Sequence, residues 1–217
     1  MLALLLGGLL YFRFRMQQAE HKPKVQTWRV SDIPCNVTEV ELRNSLEALP
    51  YHPTKVDNDT ALKSSNIRQF SFTKMSPKSP VATVTFWQTP VKLKRSSKEF
   101  RVRLSLDTRE IEVVFDTHFY GVTTLYYPHD PAVDIVAVTG LAGHAIGSWK
   151  SPGETDVWIR DYLSADKVNA RVLTYGYDTT LLRSRSKCSI HDLAMGLLEA
   201  LKSSRTNEKV RVQLHDI

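Results

Sequence analysis

The sequence predicts a mixed α/β chain in two parts: an antiparallel α+β unit over residues 25–115 and the opening of a doubly wound sheet over 116–217, behind an apolar segment at 1–24. Three observations lead there. Apolar periodicity over 27–115 runs strand, helix, strand, strand, short helix or loop, strand, which is the split βαβ order. From His118 onward the pattern becomes near-continuous apolar strands alternating with helices, as in a sheet buried on both faces. Composition, finally, is that of a globular protein: among 217 residues, 42% are apolar and 24% charged, which excludes a mostly disordered chain.

The elements follow in order. Residues 27–34 form a short strand closed by Pro34. Thr38 caps a helix over 38–49, Glu41 completes a capping box, and Val40 or Leu42 with Leu46 and Leu49 supply its apolar face. Pro50 and Pro53 stop it. Residues 67–73 and 81–87 are strands separated by Ser, Pro and Lys turn chemistry, a short polar helix or loop lies near 90–99, and strands at 100–106 and 110–115 end the unit. In the second half, 133–139 is a buried strand running into a glycine loop at 140–148, and 156–163 is a helix. Residues 170–178 form a second buried strand. An amphipathic helix over 189–202 turns Ile190, Leu193, Leu197, Leu198 and Leu201 inward, and 209–214 alternates as a last strand.

Charge is unevenly placed. Lys and Arg total 29 against 23 Asp and Glu, a net +6, but residues 1–115 hold 18 basic and 11 acidic groups, and 116–217 hold 11 and 12. Such asymmetry points to an anionic surface, either membrane or nucleic acid. Residues 1–12 carry no charge, and as a helix they would span about 18 Å of a roughly 30 Å hydrocarbon core. A shallow membrane anchor is expected, flanked on the cytoplasmic side by Arg13, Arg15, Lys22 and Lys24. Without a basic region before it or a convincing small-residue cleavage site after it, the run fits a cleaved signal poorly. The sequons at Asn36 and Asn58 then read as chance matches. Two cysteines, Cys35 and Cys188, exclude a disulfide scaffold and a four-thiolate zinc site, and seven histidines with no H-E-x-x-H give no reason to expect a metal or cofactor.

The first unit resembles the ferredoxin-like fold of RNA-recognition motifs, with residues 30–34 and 82–86 at its two signature strands. That family stacks bases on aromatic side chains of the two central strands. Here the stacking positions hold Val81 and Thr83, and the first-strand position holds Arg29. No nucleic acid is expected, and the basic excess reads as a solvated or membrane-facing surface.

Three chemistries use a glycine loop after a strand. A Walker loop requires a Lys before the final Ser, and Gly147-Ser148 lacks it; a dinucleotide fingerprint requires a second glycine where Ala142 stands. The third is the loop that supplies oxyanion N–H groups in α/β-hydrolases. The stretches 118–128, 133–144, 158–163 and 170–178 together resemble the fungal lipase-like α/β-hydrolases related to the serine-active-site-containing protein family. The resemblance covers about 118–205. It implies a serine esterase or lipase acting on lipid or other esters. It also implies membrane association at the endoplasmic reticulum or mitochondrion, where an animal relative remodels phosphatidylglycerol. The backbone N–H groups of Gly140 and Leu141 become oxyanion-hole candidates, within a family-motif loop containing Thr139, Gly143 and His144.

The resemblance also implies a following strand that enters G-x-S-x-G. The glycine pair spaced by four is Gly143 and Gly147 around Ala145, and the chain runs on through His215 and Asp216 to Ile217. The nucleophile, acid and catalytic His have no counterparts, so an incomplete hydrolase without activity is expected, with no catalytic residue to assign. The alternative is a non-enzymatic, membrane-associated interaction protein that uses the ferredoxin-like unit over 25–115, with a partner the residues do not specify. Other candidates read as structural: Ser148 as a turn cap, His144 as a packing or hydrogen-bonding group, Arg160 with Asp161 as an exposed or loop-bridging pair. Tyr175 and Tyr177 read as core aromatics with hydroxyls near the loops, and Cys188 as a thiol before a helix with no base at hand.

Overall fold

A computed structural model describes residues 26–51, 65–74, 80–93, 99–150, 155–166, 169–179 and 189–204. The expected anchor at 1–12, the Asn58 sequon, Cys188, the strand at 209–214 and the His215-Asp216 pair lie outside them. The chain is mixed α/β, with eight strands in two sheets and few helices among the described residues. In order these are β1 (Thr27–Ser31), α1 (Glu39–Glu47), β2 (Ile67–Thr73), β3 (Val81–Phe86), β4 (Glu99–Ser105) and β5 (Glu110–Asp116). Then follow β6 (Gly121–Tyr126), β7 (Val133–Val138), α2 (Trp158–Ala165), β8 (Ala170–Gly176) and α3 (Ile190–Ser204).

The first five strands form one sheet, in the order β2-β3-β1-β5-β4 and antiparallel throughout. Alternation in β1 and β3 sends Trp28, Val30, Ala82, Val84 and Phe86 to one face, where Leu42 and Leu46 of α1 bury them beside Val113 and Phe115. Between the helix alternatives, Leu42 is buried and Val40 is 67% exposed. The expected cap forms in both directions: the Glu41 N–H donates to Thr38 Oγ1 at 3.2 Å, and the Thr38 N–H to Glu41 Oε2 at 2.9 Å. The Thr38 N–H, with the Thr38 hydroxyl donating to the same carboxylate oxygen at 2.8 Å, lowers the Glu41 pKa. Between β3 and β4 the described residues hold only a 3-10 turn at Val91–Leu93. In place of a second crossover helix, β4 pairs with β5 at the sheet edge, because the alternation of Phe100, Val102 and Leu104 favours a strand.

The other face of this sheet is polar and nevertheless buried. Thr83 and Thr85 are fully buried, with Thr27 and Asp116 nearly so. Strand β6 and helix α2 of the second unit cover it, β6 lying against β2 and β3. The two units are therefore packed through a polar seam.

The second sheet has the order β6-β8-β7, with β6 antiparallel and β7 parallel to β8. β8 is buried along its whole length. β7 is not buried as its composition predicts: it is an edge strand among the described residues, with Val133 and Val138 exposed. Helix α3 also departs from expectation. Leu193, Leu197 and Leu201 are half-buried, but Ile190 is 82% exposed and Leu198 is exposed too. A buried pair fixes the end of α3, with Arg171 Nε donating to Asp134 Oδ1 at 2.7 Å and Arg171 Nη1 to the Ser204 carbonyl at 3.0 Å.

The joint between the sheets is strained. Phe119, fully buried, has φ 55°, a left-handed value that bulky residues rarely take. Its N–H donates to Asp116 Oδ1 at 2.7 Å, and its carbonyl passes so close to Gly176 that a Cβ there would lie 2.1 Å from the oxygen. Gly176 is thus required by the turn that brings the second sheet onto the first.

Candidate functional site at the seam

Strand β7 ends at Val138, and the loop that follows is wired by hydrogen bonds from the end of β8. The Tyr177 hydroxyl donates to the Thr139 carbonyl at 2.9 Å, the Thr179 hydroxyl to the Gly143 carbonyl at 2.6 Å, and the Thr174 hydroxyl to the Ala145 carbonyl at 2.8 Å. The Ala142 N–H returns a bond to the Thr179 carbonyl at 3.0 Å. A Cβ on Gly143 would sit 2.0 Å from Thr139 Oγ1, so the loop closes only over a glycine. Gly140 has open space beside it. The oxyanion candidates Gly140 and Leu141 stand on the exposed crest of the loop, and neither amide donates to another described residue.

His144 is held as a bridge. Its Nδ1 receives the N–H groups of Ile146 at 3.1 Å and Gly147 at 3.0 Å, so that nitrogen carries no proton. Nε2 then carries it and donates to the Thr117 carbonyl at 2.7 Å. Both nitrogens are occupied in the neutral ring, which leaves no lone pair to accept a substrate proton. Ser148 is likewise engaged: its Oγ lies 2.6 Å from Thr139 Oγ1 and accepts the His144 N–H at 3.1 Å. The two residues shape the loop without forming a nucleophile and base.

Arg160 and Asp161 are not an exposed pair. The Arg160 side chain is 3% exposed and reaches across the seam. Its Nε and Nη2 meet Asp161 at 2.6 and 2.9 Å, Nη1 donates to Thr83 Oγ1 at 2.9 Å, and Nη2 also donates to Gln69 Oε1 at 2.9 Å. Arg29 crosses from the other side, with Nε 2.6 Å from Asp116 Oδ2 and Nη1 2.9 Å from both the Tyr120 carbonyl and Thr123 Oγ1. The positions where an RNA-recognition motif carries aromatics are thus occupied by seam contacts at Arg29 and Thr83, while Val81 is half-buried. Tyr175 is nearly buried, as expected, and burial raises its pKa.

A cleft of 450 Å³ opens where the loop meets the first sheet, outside the carboxyl ends of β7 and β8. Its walls include Thr27, His118, Tyr120, His144, Lys150 and Asp178. His118 stacks on Tyr120 with ring centroids 4.2 Å apart, and stands 3.1 Å from Asp116 Oδ1 and 3.2 Å from Glu99 Oε2. Lys150 Nζ donates to Thr27 Oγ1 at 2.6 Å. Burial, helped by the neighbouring Arg160, depresses the Lys150 pKa from 10.5 to about 8. Lys150 carried no motif in the sequence and His118 stood only as the first residue of the 118–128 stretch, because both become notable only when the two sheets meet. Among the described residues no group of three His, Cys, Asp or Glu is placed to hold a metal, and no helix is long and apolar enough to cross a membrane.

By fold this is a two-sheet mixed α/β protein with a cleft at the junction. No protein-family model, curated protein or solved structure matches the chain.

Proposed function

We propose that the chain is an α/β-hydrolase-like protein of the esterase or lipase type whose present residues do not catalyse, with a ferredoxin-like unit docked beside the oxyanion loop. The order β6-β8-β7 carries the reading. An antiparallel strand beside a parallel pair joined through a helix, with a glycine loop leaving the first parallel strand, is how such a sheet begins. The run β2-β3-β1-β5 with α1 on one face supports the ferredoxin-like part, with β4 added at its edge. Inactivity follows from chemistry: acyl transfer requires a nucleophile and a base, and Ser148 and His144 are each bonded to other partners. Fluorophosphonate labelling and p-nitrophenyl butyrate turnover test it. Background hydrolysis and an unlabelled chain are expected; stoichiometric labelling of one serine, abolished by its replacement with alanine, overturns it.

A second reading, a membrane-associated interaction protein, is supported by the exposed Ile190, Met195 and Leu198 of α3. On either reading the face on which an RNA-recognition motif stacks bases is covered by the second unit, which argues against that mode of binding.

A further inference from the structure

We propose that the cleft at the junction of the two sheets binds a small molecule bearing a phosphate or carboxylate group, anchored on Lys150. This goes beyond the hydrolase-like reading and does not depend on it.

Among the described residues, one cation at the seam is not in an ion pair. Arg29 is paired with Asp116, and Arg160 with Asp161. Lys150, the third long cation at the seam, meets only the neutral Thr27 hydroxyl, and no described carboxylate lies within salt-bridge distance of it. Withdrawing an ammonium from water is unfavourable, and its low pKa shows that burial, with the repulsion of Arg160, outweighs the attraction of Asp161, which is not bonded to it. An oxyanion in the cleft would relieve it with a charge-assisted hydrogen bond.

Position and shape agree. Ligands of open α/β sheets bind outside the carboxyl ends of the parallel strands, and this cleft opens there beside β7 and β8. Its volume of 450 Å³ exceeds what a bare inorganic ion fills, leaving room for an organic body along the stacked His118 and Tyr120 rings. Asp178 is the one carboxylate among the described lining residues. Together with burial, it raises the pKa of the Tyr120 phenol, which sets that carboxylate on the Tyr120 side of the cleft.

Titration calorimetry with phenyl phosphate, benzoate, inorganic phosphate and phenol at matched ionic strength tests the proposal. Saturable one-to-one binding of phenyl phosphate or benzoate is expected, with phenol silent and inorganic phosphate weaker. The preferred head group is whichever binds more tightly. Lys150→Met should weaken the bound probe by about tenfold or more. Lys150→Gln provides a second neutral variant, and far-UV circular dichroism reports whether each folds. A readout on the unmutated chain stands beside these: after reductive ¹³C-methylation, one dimethyl-lysine resonance should titrate near pH 8 and shift to higher pH on adding the probe. Absence of saturable binding by both anionic probes, equal binding by a folded Lys150→Met chain, or no probe-dependent lysine resonance overturns the proposal.

Discussion

Replacing Arg160 with methionine removes the side chain that joins α2 to the first sheet. The guanidinium is almost wholly buried and makes four bonds across or along the seam, to Asp161, Thr83 and Gln69. Breaking one side of a buried pair costs about 3–5 kcal/mol, because the remaining charge is left without its partner. Two features reduce that figure here. Asp161 retains 26% exposure and still accepts the Val157 N–H at 2.7 Å, and Thr83 keeps Ser71 Oγ at 2.6 Å. The net loss should be about 2–3 kcal/mol, or about 4–12 °C in Tm for a chain of this size. Thermal unfolding followed by circular dichroism measures it. Arg160→Lys keeps the charge but not the planar fork, and should recover less than half of the loss. If Arg160→Met melts within about 1 °C of the parent, the seam is not held by this residue and the reasoning fails.

Gly143→Ala should destabilise by about 1–3 kcal/mol, because its Cβ must displace Thr139 Oγ1, whereas Gly140→Ala should be nearly neutral; chemical denaturation of the two variants compares them directly. Lys150 gives a pH dependence of defined sign. Its folded pKa of about 8 lies below the ordinary 10.5, so the unfolded chain binds more protons between those values and stability rises with pH across that window. The penalty is complete below pH 8 and absent above 10.5. It is at most about 3 kcal/mol, and about 1–2 after screening at a partly solvated ammonium. The stability difference between the parent and Lys150→Met should therefore favour the variant at pH 7 and shrink toward pH 10.5; a difference independent of pH would contradict it.

Where side chains report local geometry, the sequence was readable. Thr38 and Glu41 three residues apart marked the start of α1, and apolar patterning located the strands of the first unit together with β7 and β8, but not β6, whose Gly121–Tyr126 stretch had not been read as a strand. Neighbourhood was harder to read. Apolarity alone marked β7 as central, but centrality depends on which strands pair with it, and only β8 does among the described residues. In the site, Thr139, Gly143, His144 and Ser148 were found because they lie within one loop. Arg160 was misjudged because its partners Thr83 and Gln69 are 77 and 91 residues away. Lys150 and Thr27, 123 residues apart, left no signal in any single stretch.

The polar seam has a thermodynamic consequence. Opening a contact built from hydrocarbon exposes apolar surface, which raises the heat capacity and makes the event strongly sensitive to urea. Parting this contact would instead wet threonine hydroxyls, two arginine–aspartate pairs and one lysine. Such a separation would change the heat capacity little and respond weakly to denaturant, while each unit keeps its own apolar cluster intact. Partial opening of this molecule is therefore governed more by ionic strength, or by a charged molecule at Lys150, than by the agents that unfold it as a whole.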